Sequence, residues 1–446
     1  MRLSQTSAAT QLAVTNQPAP MPKAVPTLTL VHSQDQVSLG TTEQSGPTYS
    51  KDFNAGGAPH KFSVTEVKTP VTGFASTELL VDPDPHFPQQ SFNARGLLRD
   101  PEMIAAFGSD HPASGEVLLH YAGDPPAGAP KQDHPILLVH GANKNGKYFA
   151  DPHEDGSGKD SFTENLRAQG YKVYAVSFAD NQDDNFLQAQ QISNSIQRIL
   201  EKTGDKQVEM IAHSKGGVSA RIYDTDYKQP WMTAYQNDVF RTVFVASPNG
   251  GLDYPLRHAG TSLALATPTD NPLLNAPMVW DNIKVWGVPV DTTEQSYESK
   301  ANYWPGQAQL LARWDSKYPI SYFEGMDPLT VNTTYNGGDS FVAHSPGIDA
   351  LIKDGGNLIE NLNKSHLDPR IGVALLAGDN PNIPGILNET TGPSDGLLFV
   401  DSALQHPSTD HIVKEGILHL NHKDLIAEPE GQQWILDALS CPDPKA

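Results

Sequence analysis

The chain has 446 residues and a formal net charge of -21 at pH 7. Hydrophobic residues make up 38%, which is enough for a packed core and excludes a disordered chain. The acidic balance argues against nucleic acid as a partner, because a phosphate backbone requires clustered lysine and arginine. It also disfavours simple electrostatic attraction to anionic membranes. The length predicts one large domain with insertions, or two domains.

Targeting and anchoring segments are not evident. The single cysteine, Cys441, excludes an intrachain disulfide, which fits a reducing compartment or an exported bacterial enzyme without disulfides. The N-terminal stretch MRLSQTSAATQLAVTNQPAP lacks the apolar core of a signal peptide. No run of about 18 apolar residues is present, so we expect no transmembrane helix. These features predict a cytoplasmic location or export by a leaderless route.

The N-terminal part of the chain is rich in residues that break helices and strands, as in NQPAPMPKAVP. It predicts a flexible or extended arm up to about residue 60. The alternative is a short β-rich cap, since HKFSVTEV alternates as a strand does. We assign residues 1–114 to an N-terminal arm or cap, partly extended or β, and residues 115–446 to the main domain.

From about residue 115 the sequence alternates between strand and helix. Continuous apolar runs are typical of strands buried on both faces of a parallel sheet. The strand candidates are GEVLLHYAG, HPILLVHG, YKVYAVSF, QVEMIAHS, VFRTVFVASP, RIGVALLAGDN and GILHLNHKDLI. The main helix candidates are DSFTENLRAQG, NFLQAQQISNSIQRILEKTG, GGVSARIYD and EGQQWILDAL. This alternation predicts an α/β fold with a mostly parallel central sheet and helices on both faces.

The stretch IAHSKGG, residues 211–217, lies at a predicted strand-to-helix turn. A serine hydroxyl is a poor nucleophile unless a base takes its proton and another site stabilises the oxyanion. A sharp turn exposes the hydroxyl, and it requires small residues two positions before and after the serine. Ala212 and Gly216 meet this requirement around Ser214, although Ala212 replaces the first glycine of the usual G-x-S-x-G.

AHSKGG resembles the nucleophile elbow of bacterial lipases and esterases of the α/β-hydrolase fold. PILLVHG, residues 135–141, resembles the strand and H-G turn that carries the first oxyanion donor of this family. The resemblance extends from about residue 115 to 440. It implies that residues 115–446 form the catalytic domain and that Ser214 is the nucleophile.

The same resemblance implies two backbone oxyanion donors, the N–H of Lys215 and the N–H of Ala142 or its neighbour Asn143. The Lys215 ammonium has two possible roles, favouring the oxyanion or lying in solvent, and we expect the second. His213, which precedes the serine, is expected to be a packed or hydrogen-bonded wall residue.

The remaining triad members follow the serine in the order acid, then histidine. GILHLNHKDLIAEP offers two histidines. His419 falls within the strand, whereas His422 follows at its end, so we predict His422 as the base and keep His411 as a fallback. GPSDGLLFVDSAL resembles the segment that carries the catalytic acid and predicts Asp395, with Asp379 as the rival. The acid would hold the imidazole in one tautomer and stabilise the imidazolium.

A structural calcium is a weaker expectation. Asp424 matches an aspartate that helps to bind calcium in several bacterial lipases. Calcium takes roughly six to eight oxygen ligands, of which this is one; a solvated Asp or a helix N-cap is the alternative. No Cys/His cluster has zinc spacing and no glycine-rich phosphate loop precedes a helix, so we expect that no cofactor is required.

Residues 252–316 interrupt the α/β pattern and contain four tryptophans among Pro, Asn and Asp, namely Trp280, Trp286, Trp304 and Trp314. They predict a small satellite core, or a lid or wall that gives an apolar acyl pocket over Ser214. Both can hold together.

These features predict a serine hydrolase that cleaves carboxylic esters, foremost lipid acyl esters, through an acyl-enzyme. The alternatives are an acyltransferase with the same triad, an exported antibacterial phospholipase and a catalytically silent binding protein. The expected partners are a lipid or small ester substrate and, transiently, a membrane or lipid interface.

Overall fold

The computed structural model describes residues 57–87, 98–258, 282–285, 288–291, 305–320, 331–339, 343–345 and 347–442. The predicted arm before residue 57 lies outside these ranges. So does most of the predicted insertion, including Trp280, Trp286 and Trp304. In the described ranges, no helix is long and apolar enough to cross a membrane.

Thirteen strands are described, and they form two sheets. In chain order they are β1 (Ser63–Glu66), β2 (Ser76–Val81), β3 (Glu116–Tyr121), β4 (Ile136–Val139), β5 (Val173–Phe178), β6 (Val208–His213), β7 (Val239–Val245), β8 (Asn282–Val285), β9 (Val288–Asp291), β10 (Gly338–Asp339), β11 (Ala343–Ser345), β12 (Gly372–Gly378) and β13 (Ile412–Leu418). The central sheet has nine strands in the order β1-β2-β3-β5-β4-β6-β7-β12-β13, and a small sheet has the order β10-β11-β8-β9. From β5 to β13 all neighbours in the central sheet are parallel, whereas β1, β2 and β3 are antiparallel to theirs.

The described helices vary from one turn to nineteen residues. In chain order they are α1 (Pro101–Phe107), α2 (Lys147–Ala150), α3 (Phe162–Ala168), α4 (Asn185–Thr203), α5 (Lys215–Asp224), α6 (Tyr254–Arg257), α7 (Pro305–Ala308), α8 (Val331–Asn336), α9 (Ile348–Asp354), α10 (Leu358–Lys364), α11 (Val400–Leu404), α12 (Asp424–Ala427) and α13 (Pro429–Leu439). The long α4 begins at Asp184, whose carboxylate accepts the Phe186 N–H, and it ends at Gly204 with φ 75°.

The two faces of the central sheet bury separate hydrophobic clusters. Successive side chains of a strand point to opposite faces. In β4, Ile136 and Leu138 therefore pack with α3 and α13, and Leu137 and Val139 pack with α4 and α5. All four are fully buried. The predicted α/β class, with a mostly parallel central sheet and helices on both faces, is confirmed, whereas the lid and the extended arm stay predictions.

The central sheet begins before the predicted catalytic domain. β1 and β2 precede residue 115 and add antiparallel strands beside β3. Residues 63–81 therefore share the sheet of the main domain. The boundary between residues 114 and 115 stays a prediction.

The chain is ordered so that several loops meet at one edge of the sheet. β4, β6, β12 and β13 are parallel, so the segments that follow them leave from the same edge. These segments carry the sequence-predicted site residues.

Arg241 of β7 joins the C-terminal helix to the sheet. It is 1% exposed, and its guanidinium donates to the carbonyl oxygens of Ala438, Leu439 and Cys441. The carboxylate of Glu209 lies 3.8 Å away. Burial raises the pKa of Glu209 to about 7, and Arg241 opposes that rise.

We expect Arg241→Met to lower the free energy of unfolding by about 3 kcal/mol, because buried carbonyl oxygens lose their donors and Glu209 loses its cation. Urea unfolding measures the change. Arg198→Met is the control, since Arg198 pairs with Glu78 where both are partly exposed, and it should cost less than about 1 kcal/mol. Equal losses in the two variants would contradict the anchoring role of Arg241.

Candidate active site

Ser214 occupies a strained turn between β6 and α5. Its φ of 55° and ψ of -134° are costly for a residue with a side chain. The Ser214 N–H donates to the Val245 carbonyl at 3.0 Å, which ties the turn to β7. Backbone strain held in this way is common where a reactive side chain must be exposed.

The helix after Ser214 passes too close to the sheet for side chains. A Cβ on Gly216 would lie 2.4 Å from the His140 carbonyl oxygen, and one on Gly217 would lie 1.9 Å from Ser247 Oγ. Gly141 is equally restricted, because its Cβ would lie 2.5 Å from Ser214 Cβ. The small residues of HG and SKGG therefore allow the loop after β4 to reach the serine.

Three side chains from distant parts of the chain form a line of hydrogen bonds. His422 Nδ1 donates to Asp395 Oδ2 at 2.7 Å, which fixes the tautomer with an unprotonated Nε2. That Nε2 accepts from Ser214 Oγ at 2.9 Å. The side chains of His422 and Asp395 are 8% and 1% exposed. The structure thus brings together the three predicted triad residues in the geometry of a nucleophile, a base and an orienting acid.

The loop of Asp395 is held on both sides. Asp395 Oδ1 accepts the N–H groups of Leu397 and Leu398, each at 3.0 Å. The Asp395 carbonyl accepts the His422 N–H at 2.9 Å. The carboxylate therefore has one oxygen for its own turn and one for the imidazole.

The rival acid lies elsewhere. Asp379 Oδ1 accepts from His419 Nδ1 at 2.8 Å, and the two side chains are 42% and 80% exposed. His411, the fallback base, is also exposed. The structure places Asp395, and not Asp379, against His422.

The His213 ring packs against His422. Its Nε2–H donates to the His422 carbonyl at 3.0 Å, and the two ring centroids are 4.9 Å apart. Burial lowers the pKa of His213 well below its ordinary value, so the ring stays neutral. Tyr148 packs on the other side of His213 and donates to the Lys423 carbonyl at 3.0 Å. His213 is thus a packed, hydrogen-bonded wall residue, while Tyr148 had no signal in the sequence.

The predicted oxyanion loop has different environments at its two candidate donors. Asn143 has a φ of 58°, and its N–H already donates to Asn181 Oδ1 at 3.2 Å. Its side-chain oxygen accepts from Gln182 Nε2 at 2.7 Å. Because the Asn143 N–H is already bonded, this arrangement favours the N–H of Ala142 as the second oxyanion donor beside the N–H of Lys215.

The expectation of a solvated Lys215 side chain is wrong. Lys215 is 1% exposed, and its ammonium donates to Gln188 Oε1 of α4 at 2.5 Å. Burial lowers the pKa of Lys215, and the carboxylates of the turn after β5 raise it. These carboxylates are Asp183, Asp180 and Asp184. The acidic run DNQDDN, directly after a buried strand, was the sequence signal for these carboxylates.

The start of α7, within the predicted insertion, covers this buried lysine. A Cβ on Gly306 would lie 2.4 Å from Lys215 Cε and 2.8 Å from its Nζ. The Gly306 N–H donates to the Gln182 carbonyl at 3.1 Å, and Asn185 Nδ2 donates back to the Gly306 carbonyl at 3.0 Å. This piece of the insertion is therefore fastened to the turn after β5.

Asp424 begins the short helix α12. Burial, and then the negative charge of Glu428, raise the pKa of Asp424. Among the residues that the structure describes, no group of three or more His, Cys, Asp or Glu is placed to hold a metal ion. Calcium at Asp424 stays a prediction, and no step of the chemistry is assigned to a metal there.

The sheet order and the serine turn define an α/β-hydrolase fold. A family model for lipases (class 2) matches residues 133–252, which include the oxyanion loop and the turn at Ser214. The match confirms the expected resemblance to bacterial lipases and esterases. It also supports the expected enzyme class, which is carboxylic ester hydrolase.

Solved structures of similar proteins include bacterial esterases and lipases. The mature lipase BlEst2 of Bacillus licheniformis is 15% identical, with 72% of this chain and 97% of that chain covered and a TM-score of 0.34. A thermostable carboxyl esterase of Bacillus coagulans is 15% identical, with 73% and 95% covered and a TM-score of 0.38. Naproxen esterase of Bacillus subtilis is 12% identical, with 85% and 92% covered and a TM-score of 0.33. At these values, no functional conclusion rests on the three structures.

We expect Gly216→Ala to lower the free energy of unfolding by about 1–3 kcal/mol and to lower kcat, because the new methyl group must displace the His140 carbonyl beside the oxyanion loop. Chemical unfolding and ester hydrolysis measure the two effects. Gly108→Ala is the control, since its Cβ would meet no atom within 4 Å. Its φ of 77° makes it cost about 1 kcal/mol, with kcat unchanged. A Gly216→Ala variant with native stability and kcat would contradict the close approach of α5 to β4.

Proposed function

We propose that the chain is a serine hydrolase that cleaves carboxylic esters of lipids through an acyl-enzyme. The observation that carries this proposal is the hydrogen-bonded line from Ser214 through His422 to Asp395. It lies at the edge of the sheet where the oxyanion loop also ends. The three residues act as nucleophile, general base and orienting acid.

The first half of the reaction forms the acyl-enzyme. Ser214 Oγ attacks the ester carbonyl while His422 Nε2 takes the hydroxyl proton. Asp395 stabilises the imidazolium without taking the proton. The N–H groups of Ala142 and Lys215 donate to the oxyanion of the tetrahedral intermediate. When the intermediate collapses, the C–O bond to the alcohol breaks and His422 returns its proton to the leaving oxygen.

The second half releases the acid. Water attacks the acyl carbonyl, His422 takes a proton from that water, and the bond to Ser214 Oγ breaks as the serine is reprotonated. Every proton and electron pair is carried by the substrate, water and these residues, so the proposed reaction needs no cofactor.

A lipid acyl chain is the proposed substrate group. The matched family is described as lipase. A segment of the predicted insertion, at Gly306, packs against the side chain of Lys215, the residue after Ser214. In that segment Leu310 and Leu311 are buried. Leu252, which follows the stretch SPNGG (residues 247–251), donates its N–H to the Leu310 carbonyl and accepts the Ala312 N–H. An apolar wall or lid of this kind would favour a lipid acyl chain, and the rest of the predicted insertion lies outside the described residues.

We expect Ser214→Ala to lower kcat by roughly 10⁴-fold or more on a p-nitrophenyl ester series from short to long acyl chains, because no other group in the site attacks the carbonyl. Ser440→Ala, at the end of the C-terminal helix, is the control and should keep wild-type activity. If Ser214→Ala equals the wild type at every chain length, the hydrolase proposal is wrong. Adding alcohol acceptors and analysing the products separates hydrolysis from acyl transfer.

We expect Asp395→Asn to lower kcat by roughly 10⁴-fold, because an amide donating to Nδ1 favours the wrong imidazole tautomer. Asp379→Asn is a matched control, since Asp379 also binds a histidine but in solvent, and it should change kcat less than about twofold. A larger loss from Asp379→Asn than from Asp395→Asn would reverse the assignment of the acid.

A further inference from the structure

The backbone and the side chain of Lys215 contact different parts of the proposed oxyanion site. Its backbone N–H is one proposed donor, and its buried side chain reaches the turn after β5. We propose that Lys215 is a positioning residue, whose ammonium fixes the turn at residues 180–184 so that this turn holds the Ala142–Asn143 loop in place for catalysis. This inference rests on the proposed function of Ser214 and adds a role for a side chain that the reaction itself does not use.

A continuous path of hydrogen bonds links the lysine to the oxyanion loop. The Lys215 ammonium donates to Gln188 Oε1, and Gln188 Nε2 donates to the Asp180 carbonyl at 2.8 Å. The next residue, Asn181, accepts the Asn143 N–H at 3.2 Å. The backbone groups of Asp180 and Asn143 are thus linked, through the side chains of Gln188 and Asn181, to Lys215 at the start of α5.

Gln182 provides a second link between the turn after β5 and Asn143. Its Nε2 donates to Asn143 Oδ1 at 2.7 Å, and its own N–H donates to Asp180 Oδ1 at 2.8 Å. Asn143 is therefore held at its backbone and at its side chain by consecutive residues of one turn. Asn143 has a φ of 58°, which asparagine adopts more readily than most residues, and the two contacts hold it in that one conformation.

The charge of Lys215 balances carboxylates that have little access to water. Asp180 and Asp183 are 3% and 6% exposed, and burial raises the pKa of each. Asp180 Oδ2 has no hydrogen-bond partner among the described residues. A neutral residue in place of Lys215 would leave this turn with buried negative charge, which is relieved by protonation or by movement toward solvent. Movement toward solvent would displace Asn181 and Gln182, and protonation of Asp180 would weaken its hydrogen bond with the Gln182 N–H.

Other contacts keep the lysine in this one arrangement. Ser219 Oγ lies 3.1 Å from Gln188 Oε1 and 3.0 Å from Asn185 Oδ1, so its one proton has an acceptor on either side. The backbone of Gly306 packs against the end of the lysine side chain. The ammonium is therefore enclosed and does not reach the substrate, so its effect passes through the turn.

Oxyanion donors act on the transition state more than on the bound ester, so their displacement lowers kcat and leaves KM nearly unchanged. We expect Lys215→Met, which keeps the backbone N–H, to lower kcat roughly 10- to 100-fold with KM within about twofold. Asn181→Ala should act in the same direction. The double variant should be no worse than the stronger single variant, because both interrupt one path.

The experiment measures kcat and KM for the wild type, the two single variants and the double variant on one p-nitrophenyl ester. Lys228→Met is the matched control, since Lys228 is also buried and paired, with Asp226, beyond the far end of α5. It should keep the wild-type kcat. Multiplicative losses in the double variant, or a wild-type kcat in Lys215→Met, would overturn the proposal.

Two further measurements keep the outcomes separate. If Lys215→Met does not fold, Asn181→Ala alone decides, because Asn181 is partly exposed; a wild-type kcat in that variant overturns the proposal. Labelling with a fluorophosphonate, followed to its end point, tests the nucleophile independently. An unlabelled wild-type Ser214 would refute the proposed function, whereas a labelled wild type with an unaffected Lys215→Met refutes only the role of the lysine.

Discussion

The site depends on the close approach of three backbone segments around Ser214. The loop after β4, the first turn of α5 and the turn after β7 meet so closely that a Cβ at Gly141, Gly216 or Gly217 would overlap a neighbouring atom. This packing places the Ser214 hydroxyl beside the H-G loop and sets the distance between the two sides of the oxyanion site. The strained backbone of Ser214 persists because the surrounding strands are fully buried and cannot relax around it.

Local patterns predicted the parts of the molecule that local rules control. Parallel strands buried on both faces appear as continuous apolar runs, so β4, β6, β7 and β12 were recognisable from composition alone. The turn at Ser214 was recognisable because it demands small residues at fixed positions. His422 and Asp395 required more. His422 was separated from His419 by its place after the strand and by the family resemblance, and Asp395 was separated from Asp379 by the resemblance of its flanking segment. The structure then gave a physical reason for the choice, because Asp379 and His419 are exposed and form a hydrogen bond with each other.

The burial of Lys215 was not predicted from the sequence, in which only the acidic run after β5 indicated it. Lys215 is polar and directly follows the turn at Ser214, so solvent was the reasonable expectation for its ammonium. The error arose because a charged side chain can be buried when a distant segment supplies acceptors and opposite charge. The acidic turn at Asp180 and the amide of Gln188 are those partners, and neither is near Lys215 in sequence. Tyr148 was overlooked for the same reason, since its hydroxyl bonds to the carbonyl of Lys423, at the far end of the chain.

The residues that hold the site in place differ from the residues proposed to carry out the reaction. Each group of the proposed site is held by neighbours that take no part in the proposed reaction: Asp395 by the N–H groups of its own turn, His422 by the His213 ring, and the Ala142–Asn143 loop by Asn181 and Gln182. Asp395, His213 and Lys215 are each nearly inaccessible to water. Buried polar groups of this kind stabilise a single arrangement, because any other arrangement leaves a donor, an acceptor or a charge without a partner. A buried lysine costs folding free energy that an apolar residue would not, so its presence beside the nucleophile is best understood through the geometry that it imposes on the turn after β5.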